Sequence, residues 1–181
     1  MNAPKFKSFE AMILYFNGMY KLPISPIPGT DAEFQWQKEK FPAAGLDENR
    51  RAAKKRMIDF FGTILANELR EHEDIVAGLE EGNDICYESD IAFLTDLADL
   101  LGDIMVYCAS EMVRYGIPIN ETLRIIMDSN FSKLNENGNP IYDATGKVMK
   151  GPNYWKPEPK IMAMLLQLQQ EGAPRGRKDG E

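Results

Sequence analysis

"RMIDFFGTILANELREHEDIVAG" runs from Arg56 to Gly78. Its first half repeats apolar side chains at helical spacing, through Met57, Phe61 and Ile64. Continued by threes and fours, the stripe lands on Glu68, then Glu71, then Ile75. A helix facing a core places Leu or Val at such positions. Two carboxylates there call either for a solvated helix face or for something at the core edge that attracts negative charge.

The helix extends in both directions. Asp47 is the expected N-cap, followed by Glu48 and a basic run from Arg50 to Arg56. The pattern continues to about Val76, where the glycines of "GLEEGND" break it. A further helix is expected from about Ser89 to Tyr115, with Gly116 closing it and Pro118 just beyond. On a wheel of about 100° per residue, Phe93, Leu97, Leu100 and Ile104 share an arc of roughly 60°. Asp96, Asp99 and Asp103 fill a second arc of about 60° beside it. If these helices pack antiparallel, five carboxylates face one cleft: Glu68, Glu71, Asp96, Asp99 and Asp103.

Carboxylates so close repel, and a divalent cation is the least costly remedy. All candidate donors are oxygens, which favours Mg²⁺ or Mn²⁺ over zinc or copper. A di-iron bundle needs Glu-x-x-His pairs, and the chain has one histidine, His72. The two cysteines, Cys86 and Cys108, form no C-x-x-C pair, so a zinc site is not expected and a reducing cytoplasm fits.

Around this centre the rest reads as helix and arm. Residues 8–21 form a helix with Met12, Phe16 and Met19 on one side. "LPISPIPGTDAEF" is a proline-rich arm, and "FQWQKEKF" adds a short helical turn. Asn120 is the expected cap of a helix from about Glu121 to Leu134. "NENGNPIYDATGKVMKGPNYWKPEP" is irregular, with "IYDATGKVM" as two very short strands around a turn. "KIMAMLLQLQQ" is a short C-terminal helix, and residues 171–181 read as a disordered polar tail. The expected fold is all-α: an antiparallel four-helix-type bundle in a single domain, residues 1–170, with a core of about 46–157.

The chain has 181 residues, 44% hydrophobic and 27% charged, with a net charge of −7. That balance argues against a nucleic-acid polymer or an anionic membrane as partner, since both reward a basic surface. No apolar run reaches the roughly 18 residues that span a bilayer, and the first twelve residues lack a secretory h-region.

Glu68-x-x-Glu71 followed by Asp96-x-x-Asp99 resembles the E-E-x-x-E … E-x-x-D signature of the all-α nucleoside triphosphate pyrophosphohydrolases. That superfamily includes the MazG-like enzymes, the dimeric dUTPases and phosphoribosyl-ATP pyrophosphohydrolase. "DLADLLGDIMVYCASEMVRYGIP" is similar to the family's long helix and its Gly-Ile-Pro turn. "DSNFSKLNENGNPIYDATGKVMKGPNYWKP" resembles the tail of a MazG-like subgroup. The likeness spans about Leu46 to Pro157.

The resemblance implies hydrolysis between the α- and β-phosphates of a nucleoside triphosphate, giving a monophosphate and pyrophosphate in nucleotide-pool cleaning. It implies Mg²⁺, with Mn²⁺ as an alternative, on Glu68, Glu71, Asp96 and Asp99. Glu68 and Glu71 are the implied catalytic activators of water. Asp103, Asn130, Lys133, Lys147, Lys150 and Tyr154 are the implied substrate-binding set. A homodimer or homotetramer is implied as well.

Two positions depart from the pattern. Asn67 stands where the family has its first glutamate, and Asp96 is one methylene shorter than the family's residue. An amide cannot act as a base. These departures keep a second reading open, a non-catalytic nucleotide or metal sensor on the same scaffold. A third is a structural helical oligomer whose acidic cleft takes a basic partner.

Overall fold

The computed structural model describes residues 6–28, 46–80 and 87–172, with side chains from Arg51 onward in the second stretch. The fold is all-α. Its helices are α1 (Phe9–Met19), α2 (Leu46–Asp59), α3 (Leu65–Gly78), α4 (Asp90–Arg114), α5 (Ile119–Phe131) and α6 (Glu158–Glu171). A π-helical turn, Phe60–Ile64, joins α2 to α3. No helix among the described residues is long and apolar enough to cross a membrane. The expected Asp47 cap stands inside α2, which already begins at Leu46. The "FQWQKEKF" turn, Cys86, most of the "GLEEGND" break and most of the polar tail lie outside what is described. The chain divides into two compact units. One comprises Met1–Ala32 with Met112–Glu181, the other Glu33–Glu111.

In the second unit, side-chain pairs set the register of α2 and α3 against α4. Arg56 forks onto Glu111, with Nε 3.0 Å from Oε1 and a terminal nitrogen 2.6 Å from Oε2. Glu111 is only 7% exposed, so its charge needs this partner. The guanidinium also lies over the Phe60 ring, 5.7 Å from its centre. Further along, the Tyr107 hydroxyl bonds Glu68, and Tyr87 bonds Asp96. Residue numbers rise along α2 and α3 while those of their α4 partners fall, so the elements run antiparallel.

The π turn corrects the helical phase expected from the sequence. The Leu65 N–H reaches back to the Phe60 carbonyl, one residue farther than an α-helix allows. The expected stripe placed Phe61 inward, but Phe60 is buried at 3% exposure and Phe61 is 57% exposed. A straight α-helix would turn Glu68 about 120° away from Arg56. The π turn takes back nearly one residue's rotation and leaves the two within about 20° of one face. Both therefore reach α4.

The first unit is held by polar fasteners at its helix ends. Ser8 caps α1 by accepting the Ala11 N–H at 3.1 Å. Ile13 and Asn17 are its buried residues. Gly116, at φ +64°, closes α4, and the Ile117 N–H returns to the Met112 carbonyl at 2.9 Å. A Cβ on Gly116 would lie 2.6 Å from the Ile27 carbonyl oxygen, so glycine is required twice over.

The start of α5 differs from expectation. Pro118 occupies the cap position, and Asn120 lies inside the first turn. The Asn120 N–H is met by the Glu10 carboxylate of α1 at 3.3 Å. An acceptor supplied by another helix replaces the local cap.

The irregular arm beyond α5 follows a fixed path. Ser129 Oγ donates to the Trp155 carbonyl at 2.8 Å, and the Trp155 N–H donates to Ser132 Oγ at 3.2 Å. The Gly151 N–H meets the Lys133 carbonyl at 2.9 Å. The expected pair of short strands is reduced to one antiparallel bridge, Tyr142 with Val148. Asp143 shapes the turn instead. Its Oδ1 accepts from the Thr145 hydroxyl and from the N–H groups of Thr145 and Lys147. These bonds, the hydroxyl's first, hold its carboxyl below the usual aspartate range. Three bonds to one side chain take up donors that a longer ladder would have paired.

Arg56→Met is expected to destabilise the protein by about 3 kcal/mol, because it leaves Glu111 buried without its forked partner. Urea unfolding measures this, and an unchanged midpoint would show that the pair holds nothing together.

Candidate metal centre

α3 presents Glu68, Glu71 and Asp74 at successive turns, and α4 presents Asp103, Asp99 and Asp96 against them in the opposite order. Glu68 is half-buried, and the other five are exposed. A cavity of about 600 Å³ is lined by Glu71, Asp74, Ile75, Tyr87, Asp96 and Asp99. The structure thus gathers Glu71, Asp96 and Asp99 of the expected metal set in this cavity, while Glu68 and Asp103 stand beside Glu71 and outside its lining.

The electrostatics of the array fall most heavily on Glu71. It holds its proton above the usual glutamate range, chiefly because Glu68 stands one turn away. Partial desolvation and the charges of Asp103, Asp99 and Asp74 push in the same direction. The folded state therefore binds this proton more tightly than the unfolded chain. The stability it contributes is present below the ordinary glutamate value and is lost as pH rises through the raised one.

Two tyrosines bound the array. Burial, the bond to Glu68 and the charges of Glu68, Asp103 and Glu71 raise the Tyr107 phenol above its ordinary value. The Tyr87 hydroxyl donates to Asp96 Oδ2 at 2.8 Å. Desolvation first, and then that bond, keep Tyr87 protonated beyond the usual range.

Sequence reasoning missed three members of this group. Asp74 continues the three-residue spacing from Glu68 and Glu71, and Tyr107 lies one turn beyond Asp103, so both had a periodic signal. Tyr87 precedes α4, where periodicity carries none.

The donor set suits a hard divalent cation, being all oxygen and strongly negative. Among the described residues, no group of three or more acidic, histidine or cysteine side chains stands close enough to enclose an ion as the rotamers lie. An ion held there would require carboxylates of the lining to reorient. Asn67 is turned to other work. Its Oδ1 accepts from Arg70 at 2.5 Å on the exposed surface.

The other expected substrate residues belong to the first unit. Lys133 Nζ donates to Asn130 Oδ1 at 2.7 Å, one turn back along the chain. Lys150 lies over the Tyr154 ring at 4.7 Å. Lys147 is exposed, and its N–H belongs to the Asp143 turn.

No protein-family model matches the chain, and no curated protein matches it. One solved structure is similar, described as a "putative NTP pyrophosphohydrolase" from Exiguobacterium sp. 255-15. It is 18% identical over 93% of this chain and 100% of that one, with a TM-score of 0.48. A likeness so remote does not establish a family.

Glu68→Gln is expected to bring Glu71's titration down toward the ordinary glutamate range, and by more than Asp99→Asn does. Carboxyl ¹³C NMR without divalent ions reads both midpoints. Equal effects from the two variants would contradict the dominant place given to Glu68.

Proposed function

We propose that this protein is a Mg²⁺-dependent nucleoside triphosphate pyrophosphohydrolase of MazG-like kind, acting in the cytoplasm in nucleotide-pool cleaning. One observation carries the reading: Glu71, Asp74, Asp96 and Asp99 line one cavity, and Glu68 first, then desolvation and the charges of Asp103, Asp99 and Asp74, raise Glu71's proton affinity. So many like charges on one helix pair put it under electrostatic load, which a bound cation would relieve.

Glu68, Glu71, Asp96 and Asp99 would hold the ion. When bound, Mg²⁺ neutralises phosphate charge and favours attack at the α-phosphorus. Glu71 lines the cavity and is the general base in this scheme. The water oxygen bonds to the α-phosphorus as the bridge to the β-phosphate breaks. Pyrophosphate leaves, and the proton on Glu71 is returned to solvent. Glu68 fixes Glu71 electrostatically and is itself oriented by Tyr107.

By resemblance, Asn130, Lys133, Lys147, Lys150 and Tyr154 complete the substrate-binding set with Asp103. Homo-oligomers are expected too. Ile91, Leu94, Leu101 and Met105 on α4 are 71%, 49%, 52% and 58% exposed. They recur at heptad spacing, which suits a helix seam rather than water. Light scattering at micromolar concentration should give at least twice the chain mass, and a monomer would remove this part of the reading.

Asn67 favours a second reading, a nucleotide or metal sensor. Its amide is held by Arg70 and offers no base. Pyrophosphate release from a panel of nucleoside triphosphates with Mg²⁺ separates the two. The enzyme reading expects release that falls at least ~100-fold in Asp99→Asn, with fold retained. Lys133→Ala should weaken triphosphate binding more than it slows the bound complex. Binding without release in the wild type would favour the sensor. Near-normal turnover in Asp99→Asn would remove the carboxylates from the chemistry.

A further inference from the structure

Tyr87 is fixed from three directions before its hydroxyl does anything. Its N–H donates to the Gly78 carbonyl at 2.8 Å. Its ring covers Gly78 so closely that a Cβ there would lie 2.5 Å from ring carbon Cε2. Phe93 meets the ring edge-on, with centres 5.9 Å apart. A phenol held this way keeps its hydroxyl on Asp96 Oδ2, 2.8 Å away.

Asp96 itself is exposed. An exposed aspartate samples several rotamers, and capturing a cation would cost it that freedom. A hydrogen bond from a rigid donor removes the freedom in advance. It occupies one oxygen and leaves the other for a ligand.

We propose that Tyr87 is a positioning residue that holds the Asp96 carboxylate ready for a divalent cation in the cleft shared with Glu71, Asp74 and Asp99. This inference rests on the metal-site reading given above. It assigns Tyr87 no contact with the cation. A merely structural Tyr87 would behave differently: loss of its hydroxyl would lower stability, and cation affinity of the folded protein would not change.

The experiment is a Mn²⁺ titration of the full chain, followed by electron paramagnetic resonance. It compares wild type, Tyr87→Phe, Asp96→Asn and the double variant, each with its metal-free melting temperature. Tyr87→Phe should weaken Mn²⁺ binding about 10-fold with little change in melting, as loss of an orienting partner does at metal sites. The double variant should bind no more weakly than Asp96→Asn alone, since the hydroxyl acts only through that carboxylate.

If Tyr87→Phe binds Mn²⁺ as tightly as wild type while Asp96→Asn binds weakly, the Tyr87 assignment is wrong and the metal site stands. If the two losses add, the hydroxyl acts by some other route, and the assignment is again wrong. If wild type and Asp96→Asn bind alike, the metal-site reading itself fails and this inference falls with it. A check on the wild type needs no variant. On Mg²⁺ addition the Tyr87 Cζ resonance should move together with Asp96 Cγ, and a Tyr87 resonance blind to Mg²⁺ overturns the assignment.

Discussion

Glu68 and Glu71 repel Asp96, Asp99 and Asp103 at neutral pH, yet α3 and α4 carry them on facing sides. Two unit charges 4 Å apart in water differ by about 1 kcal/mol from the separated pair, and low-dielectric surroundings multiply that several-fold. The structure limits this load by leaving most of the carboxylates exposed. It offsets the remainder with neutral donors. Tyr107 meets Glu68 and Tyr87 meets Asp96, so each end of the array has a hydroxyl against a carboxylate. The forked Arg56–Glu111 pair then clamps the helices beyond the array. Arg56 places its positive charge there, on a buried partner, and among the described residues no cationic side chain lines the cleft.

The first unit, in its described residues, is held differently. Its fasteners are single hydrogen bonds at chain ends and turns. Glu10 serves Asn120, Ser129 and Ser132 grip the backbone of Trp155, and Asp143 gathers three donors. Lys160 lies 3.5 Å from the centre of the Trp155 ring, adding a cation over an aromatic face to the same anchor. The arm between α5 and α6 therefore needs little regular structure to keep its path.

Much of this was legible in the sequence, and what was not has physical causes. The spans of the long helices and the adjacency of the acidic and apolar arcs on α4 follow from periodicity alone. Gly116 was legible because a helix ending in glycine ahead of proline has few alternatives. The π turn was not, since extrapolating one period across residues 60–64 assumes the ladder is unbroken. That assumption exchanged Phe60 for Phe61 as the buried ring. The Asn120 cap failed because its rival acceptor, Glu10, lies far away in the chain and close in space. Tyr87 was invisible for the same reason, as its contacts with Gly78 and Asp96 are tertiary.

The π turn also bears on how such a chain can change over generations. A π turn is one residue of slack wound into a helix. Removing one residue there would return the helix to regular winding, with eleven steps of about 100° between Arg56 and Glu68, and the acidic side chains of α3 would keep their face relative to Arg56. A second deletion would swing them by about 100°. Descendants should therefore tolerate the loss of one residue along this stretch and not of two. In an alignment, a one-residue gap between Arg56 and Glu68, with the acidic spacing kept beyond it, would mark the turn more clearly than any single residue.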